Sequence, residues 1–98
     1  MNVYRQGDVL FMPTDTIPDE AKPSKTRLIR KGEHGGLHQI EKGSDATLVV
    51  HNGVKYVLTK SGVGIVHGEH ARLPLPPGQY QVVVQRELVE ERPRFVGD

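Results

Sequence analysis

Apolar and polar residues alternate most clearly in the middle of the chain, in the segment ATLVVHNGVKYVLTK at residues 46–60. Two β-branched runs flank Asn52 and Gly53, and apolar residues recur at every second position from Val54 to Leu58. An Asn-Gly pair supplies the positive φ angles that both central positions of a type I′ turn require. The segment therefore predicts a β-hairpin.

Several other segments rich in β-branched and aromatic residues predict short strands separated by glycine and proline turns. They are GDVLFMP up to Met12, TRLIR (26–30, at a sheet edge), GLHQIE (36–41), VGIVH (63–67) and QYQVVVQREL (79–88). No segment of ten or more residues has a helical period with an apolar stripe. About seven short strands predict an all-β fold, a small single-domain β-barrel or sandwich over residues 1–98. Residues 90–98 are expected to form a peripheral tail.

The segment LPLPP at residues 73–77 carries three prolines, which have no N–H to donate and cannot sit inside a central strand. We expect an extended connector across one end of the domain, with Leu73 and Leu75 pointing inward. Gly78 then turns the chain into the strand that follows. In that strand the residues expected to face the core are Tyr80, Val82 and Val84.

Composition limits the classes of function. A chain of 98 residues forms one domain, and the absence of cysteine excludes disulfides, thiolate metal ligands and a thiol nucleophile. No apolar run is long enough to span a membrane, and the N-terminus lacks the apolar core of a signal peptide, so the cytoplasm is the expected compartment. The net charge of +1 indicates no field that would steer a charged partner.

One local run of positive charge lies between residues 22 and 31, where five lysines and arginines occur without an acid. Such a run could contact phosphates. No aromatic residue is interleaved with the charges as a platform for base stacking. We therefore interpret the run as a solvated loop and edge strand, and we do not expect nucleic acid as a partner.

The histidines are the most informative polar residues. In VGIVH, His67 shares a strand face with Val63 and Ile65, and in GLHQI, His38 shares one with Ile40, so both point inward if those apolar residues do. A rim site is then expected where the two segments meet. The candidate ligand-binding residues are His38, His67, Glu69 and His70. The candidate metal ligands are His34, His38, His67 and His70.

Other catalytic patterns are missing. No serine lies in a nucleophile elbow, and the glycines form neither a dinucleotide fingerprint nor a phosphate loop. The acids near the C-terminus alternate with arginines, as in a solvated segment. No catalytic residue is predicted. The cofactor is either none or a divalent metal ion on the histidines.

Two motifs resemble those of the cupins, small β-barrels that hold a metal ion on histidines. Gly32 and His38 fit the opening spacing of the first cupin motif, but Ile40 stands where its second histidine belongs. In the second motif Pro76 and Gly78 are in place. The other positions differ: His70 replaces a glycine, Gln81 a histidine and Gln85 an asparagine. The resemblance implies a cupin-like fold in which the metal site is displaced or absent.

A second resemblance covers more of the chain. YRQGDVLF near the start and HGEHARLPLPPGQYQVVVQREL near the end are similar to a family of small uncharacterised proteins from bacteria and their phages. His38 matches the second histidine of that family's middle motif. Gly36 stands at the first, unless His34 substitutes for it. The residues that match the closing motif are His67, His70, Pro77, Gly78, Tyr80, Gln85, Arg86 and Glu87. The resemblance implies an accessory protein of a phage or mobile element and brings no assigned reaction.

Two hypotheses about function stay open. The first is a non-enzymatic β module of phage or mobile-element origin that binds a protein partner or a small ligand at the histidine-lined rim. The second is a cupin-like metal-binding protein or metal-dependent enzyme that uses His38, His67 and His70. The small size of the domain and its edge strands favour a homodimer.

Overall fold

A computed structural model describes residues 2–32 and 36–85 and the backbone of residues 95–97. Within these residues there are eleven β-strands and no α-helix. The strands are β1 (Val3–Gln6), β2 (Val9–Pro13), β3 (Lys22–Ser24), β4 (Leu28–Lys31), β5 (Leu37–Ile40), β6 (Thr47–His51), β7 (Val54–Thr59), β8 (Val63–Val66), β9 (Leu73–Leu75), β10 (Gly78–Val84) and β11 (Phe95–Gly97). The described residues contain no helix long and apolar enough to cross a membrane.

The strands form two sheets. One has seven strands in the order β11-β1-β2-β10-β7-β6-β3, and the other has four in the order β4-β5-β8-β9. Neighbouring strands are antiparallel except β1 and β11, which run parallel. The barrel is not closed. Of the two all-β architectures that the sequence predicts, the domain is the sandwich.

One hydrophobic core joins the sheets. The seven-stranded sheet contributes Phe11 and Val57, which are fully buried, and the four-stranded sheet contributes Ile29 and Ile65. Burying a side chain of this size stabilises a fold by roughly 1.5–3 kcal/mol. The core therefore fixes how the two sheets face each other, and with them the loops that both sheets carry.

The predicted hairpin is confirmed. Strands β6 and β7 pair from His51 opposite Val54, and the two residues between them have positive φ angles, 50° at Asn52 and 77° at Gly53. These are the angles that a type I′ turn needs. The predicted edge strand at residues 26–30 is also found, as β4 at the edge of the four-stranded sheet.

The proline segment differs from the expected connector because its first three residues form a strand. Leu73–Leu75 pairs with β8 at the edge of the smaller sheet, and Pro74 lies opposite Gly64. An edge strand has only one neighbour, so the missing N–H of the proline breaks no hydrogen bond to a second strand. Leu73 and Leu75 are buried, as predicted. In β10, Tyr80 and Val84 are buried and Val82 packs against the core, also as predicted.

Two further regions differ from the sequence prediction or extend it. Lys22–Ser24, interpreted as loop, forms a short edge strand beside β6. Of the predicted tail, residues 90–94 and 98 lie outside the described residues. Residues 95–97 form a strand next to β1.

Candidate ligand-binding site

Three segments distant in sequence meet around one cavity of about 210 Å³. The first is the turn between β1 and β2, in the larger sheet. The second and third belong to the smaller sheet and flank the start of β5 and the end of β8. We call this cavity the histidine pocket. It is lined by Gly7, Asp8, Gly32, Gly36, His38, His67, Glu69 and His70.

Three of the predicted histidines lie side by side in the pocket. The ring centroids of His38 and His67 are 4.4 Å apart, and those of His67 and His70 are 4.6 Å apart. His38 and His70 are nearly parallel at 6.2 Å. The fourth predicted metal ligand, His34, lies outside the described residues. Strand parity thus brings together the inward-facing ends of β5 and β8, as the sequence suggested.

A buried glutamine fixes the orientation of His38. The side-chain nitrogen of Gln6 donates to the backbone carbonyls of Ile65, at 2.8 Å, and Ala71, at 2.9 Å. Both amide protons are used, so Oε1 is left as the acceptor, and it lies 3.0 Å from Nδ1 of His38. His38 therefore carries its proton on Nδ1, and Nε2 presents a lone pair to the pocket.

His67 has the opposite tautomer. The backbone N–H of Glu69 donates to Nδ1 of His67 at 2.9 Å, which places the ring proton on Nε2. The Glu69 residue itself is exposed, so its ordered contribution to the site is this backbone contact. Of these two rings, His38 offers an acceptor at Nε2 and His67 offers a donor at Nε2.

Asp8 adds a carboxylate that the sequence analysis did not predict. Its Oδ1 lies 3.6 Å from Nε2 of His38, beyond hydrogen-bond length. Its Oδ2 is buried and has no hydrogen-bond partner among the described residues. Unsatisfied buried side-chain oxygens are uncommon in folded proteins and call for a partner such as ordered water, a bound ligand or an ion. The carboxylate of Asp8 therefore has unmet bonding capacity.

Burial keeps His38 neutral. Desolvation lowers the pKa of His38 to about 4, with a further lowering by His67, and the negative charge of Asp8 opposes the shift only in part. Electrostatic interactions with His70 and Arg30 lower it further. At neutral pH the nearest ionisable neighbour of the Asp8 carboxylate is thus an uncharged ring.

Glycines make room for the histidine rings. A Cβ built on Gly36 would lie 2.1 Å from Cε1 of His67, and one on Gly32 would lie 3.2 Å from Nε2 of the same ring. A Cβ on Gly7 would lie 2.7 Å from Nε2 of His70. Gly7 also has a φ of 61°, which the two-residue turn between Gln6 and Val9 requires. The glycines are needed for the rings to occupy these positions.

The hydrogen bonds of the histidine rings determine which ring nitrogens are open to a metal ion. Within residues 2–32 and 36–85, no group of three or more histidine or acidic side chains is placed to hold a metal ion. Metal-bound histidines donate from the ring nitrogen that does not bind the metal. His38 meets that condition through Gln6, whereas His67 accepts a hydrogen bond at Nδ1 and presents Nε2–H.

A larger surface hollow of about 570 Å³ lies between residues 41–44 and 74–77. Among its charged lining residues, Lys42 is exposed, and Arg72 and Glu41 are paired with each other by two hydrogen bonds of 2.7 and 3.0 Å. Neither of them has a buried atom without a partner. The histidine pocket is therefore the stronger candidate for a binding site, although it is the smaller cavity.

Fold and site together define a β-sandwich with a pocket of imidazole and carboxylate groups where its two sheets meet. The chain belongs to the family described as domain of unknown function (DUF8820), whose model matches residues 5–85. The matched region includes all three segments of the histidine pocket. The predicted membership of an uncharacterised family is thereby confirmed. No curated protein matches the chain. No solved structure matches it either.

Proposed function

We propose that this protein is a small, non-enzymatic β module that binds a small ligand in the histidine pocket. The observation that carries the proposal is Oδ2 of Asp8, a buried carboxylate oxygen without a partner among the described residues. Beside it, Nε2 of His38 is held as an acceptor by the Gln6 contact. A bound ligand that donates to these atoms would remove the cost of leaving them unsatisfied.

The dimensions of the pocket suit a small chemical group. Its volume of about 210 Å³ is just below the roughly 300–1,000 Å³ of typical small-molecule sites. A second hollow of about 440 Å³ adjoins it, shares Gly36 and His67 with it, and is lined also by Leu37 and Val66. Among the described residues, Leu37 is the large hydrophobic residue whose side chain is exposed, at 39%. The neighbouring hollow would accommodate an apolar part of the same ligand.

Two glycine variants test the location. Gly36→Ala places a methyl group 2.1 Å from the His67 ring and must displace that ring, whereas Gly53→Ala, outside the pocket and the adjoining hollow, meets nothing within 4 Å. A fragment library screened by NMR against the unmodified protein identifies ligands. We expect Gly36→Ala to weaken their binding at least about tenfold and Gly53→Ala to leave it unchanged. Equal affinities in the two variants, or ligands that contact another surface, would contradict the proposal.

A metal-dependent function is the second candidate, and the contact between Gln6 and His38 favours it. Metal-bound histidines donate the N–H of the ring nitrogen that does not bind the ion to an oxygen acceptor, and Gln6 Oε1 takes that place for His38. This proposal covers the cupin-like protein or metal-dependent enzyme on His38, His67 and His70, with His34 as a further ligand. Elemental analysis of protein purified without a histidine tag tests it. Absence of zinc, iron, nickel and manganese would contradict it.

We also propose a phage or mobile-element origin, a cytoplasmic location and a homodimer. The first is supported by the YRQGDV and HGEH segments, and the last by the exposed edges of β3 and β4. Gene neighbourhoods outside prophages and mobile elements would contradict the origin. Recovery from the membrane or secreted fraction would contradict the location, and a scattering mass of one chain would contradict the dimer.

A further inference from the structure

The polarity of the histidine pocket restricts the class of ligand, provided that the pocket is the binding site proposed above. We infer that it binds a cation, held between the carboxylate of Asp8 and Nε2 of His38. Asp8 would thus be a binding residue that no sequence motif assigned, and the chemistry of the ligand would be set by two facing acceptors.

The distance between the two acceptors is the first argument. Oδ1 of Asp8 and Nε2 of His38 are 3.6 Å apart, too far for a direct hydrogen bond and close enough to share one partner. Two atoms that each carry a lone pair repel at this distance unless something electron-poor lies between them. A metal ion at about 2.1 Å from both atoms would subtend an angle of about 118°, near the tetrahedral value. The two N–H groups of a guanidinium or amidinium fork would also match two neighbouring acceptors.

The charge balance is the second argument. Oδ2 of Asp8 is buried and without a partner in the described part of the chain. There, the one basic side chain within ion-pair distance of this carboxylate is His38, whose hydrogen bond to Gln6 leaves Nε2 unprotonated. Arg30 lies opposite His38 on β4, but no ion pair joins it to Asp8. The Asp8 side chain as a whole is 27% exposed, but its buried oxygen Oδ2 is left without a partner at a cost, and a bound cation would remove that cost.

The position of Asp8 is the third argument, because the fold holds it firmly. The turn of Gly7 and Asp8 is closed by the pairing of Gln6 with Val9, and the backbone carbonyl of Asp8 accepts a hydrogen bond from Gln85 at 2.7 Å. Gln6 is fully buried and anchors the other acceptor. Both acceptors therefore depend on one turn, so their separation is set before any ligand arrives.

Two sources could supply the cation, a divalent metal ion or an organic cation, and titrations separate them. Zinc chloride, methylguanidinium chloride and, as an anionic control, sodium acetate are added to the full chain while amide signals are followed by NMR. We expect saturable shifts at Gly7, Asp8 and His38 with at least one of the two cations and none with acetate. Binding of zinc alone would assign a metal site, and binding of methylguanidinium alone would assign an organic ligand.

Asp8→Asn is the decisive variant because it keeps the shape of the side chain and removes the charge. It should weaken cation binding at least about tenfold, while Asp19→Asn, at an exposed position, should not change it. Should Asp8→Asn fail to fold, the ¹³Cγ resonance of Asp8 in the unmodified protein reports the same contact, and it should move with the bound cation. Unchanged affinity in Asp8→Asn, a stationary Asp8 resonance, or no binding of either cation would overturn the inference. If neutral fragments or acetate still bind in the pocket, the proposed function survives this failure. If nothing binds there, both fall.

Discussion

Gln6 and His38, 32 positions apart in the chain, form a buried hydrogen bond of 3.0 Å that sets which ring nitrogen of His38 carries the proton. Because the amide nitrogen of Gln6 is committed to two backbone carbonyls, its oxygen can only accept. The turn that follows β1 thereby decides which atom of His38 faces the cavity. The orientation of a functional side chain in the smaller sheet depends on a residue in the larger one.

Replacing Gln6 by leucine should reduce the free energy of unfolding by about 2–4 kcal/mol, because it leaves two carbonyls and one imidazole N–H buried without partners. Urea denaturation measures the loss. Gln79→Leu is the matched control, since Gln79 is exposed, and its change should stay within about 0.5 kcal/mol. Equal losses in the two variants would show that the Gln6 contacts contribute little.

A second prediction compares two glycines with positive φ. Gly7→Ala and Gly53→Ala share the strain of a left-handed alanine, about 1 kcal/mol, because φ is 61° and 77° at these positions. Only at Gly7 does the new methyl group approach a pocket ring, at 2.7 Å from Nε2 of His70, while at Gly53 it meets nothing within 4 Å. Imidazole ¹H–¹⁵N signals of His70 should therefore move in Gly7→Ala alone. An unmoved His70 in that variant would contradict the packing described for this ring.

Stability should depend on pH through His38. Its pKa is lowered from 6.5 to about 4 in the folded protein, chiefly by burial, so the unfolded chain binds this proton more readily. Stability is then greatest above pH 6.5 and falls as the pH drops from 6.5 towards 4. At 1.36 kcal/mol per pKa unit, the loss between pH 7.5 and pH 5 is about 2 kcal/mol.

Asp8, His67, His70 and Arg30 act on the same ring, so the measurement needs a reference. Urea denaturation of the wild type and of His38→Gln, both with a chelator, gives a difference curve in which the other groups largely cancel. That difference should shrink below pH 6.5. Parallel curves for the two proteins would mean that His38 titrates alike in the folded and unfolded states.

Local patterns in the sequence predict part of this fold well. Asn52 and Gly53 specify their hairpin because the turn conformation depends on those two residues alone. Parity along short strands likewise places His38 on the buried face with Ile40. The conformation of Leu73–Leu75 is harder to predict from sequence. A proline between two leucines excludes a central strand but does not decide between a connector and an edge strand.

The sequence does not reveal that the turn after β1 belongs to the site, and the reason is physical. Gln6, Gly7 and Asp8 have the composition of an ordinary turn, and nothing local distinguishes a glutamine that is 0% exposed from a solvated one. Their role arises when the larger sheet is laid against the smaller one, which is a long-range event. The available signal was the YRQGDV stretch in the resemblance to the uncharacterised family, which marked this turn without giving it a chemical role.

The Nε2 resonance of His38 tests the central claim most directly, because it reports the lone pair that Gln6 directs into the pocket. Long-range ¹H–¹⁵N spectra are recorded while the ligands found by fragment screening are added to the unmodified protein. We predict a saturable movement of this resonance, with accompanying shifts at Gly7, Asp8 and Gly36. A stationary His38 resonance, with shifts instead around Ser61 and Pro76 in the larger hollow, would contradict the assignment of the histidine pocket as the binding site.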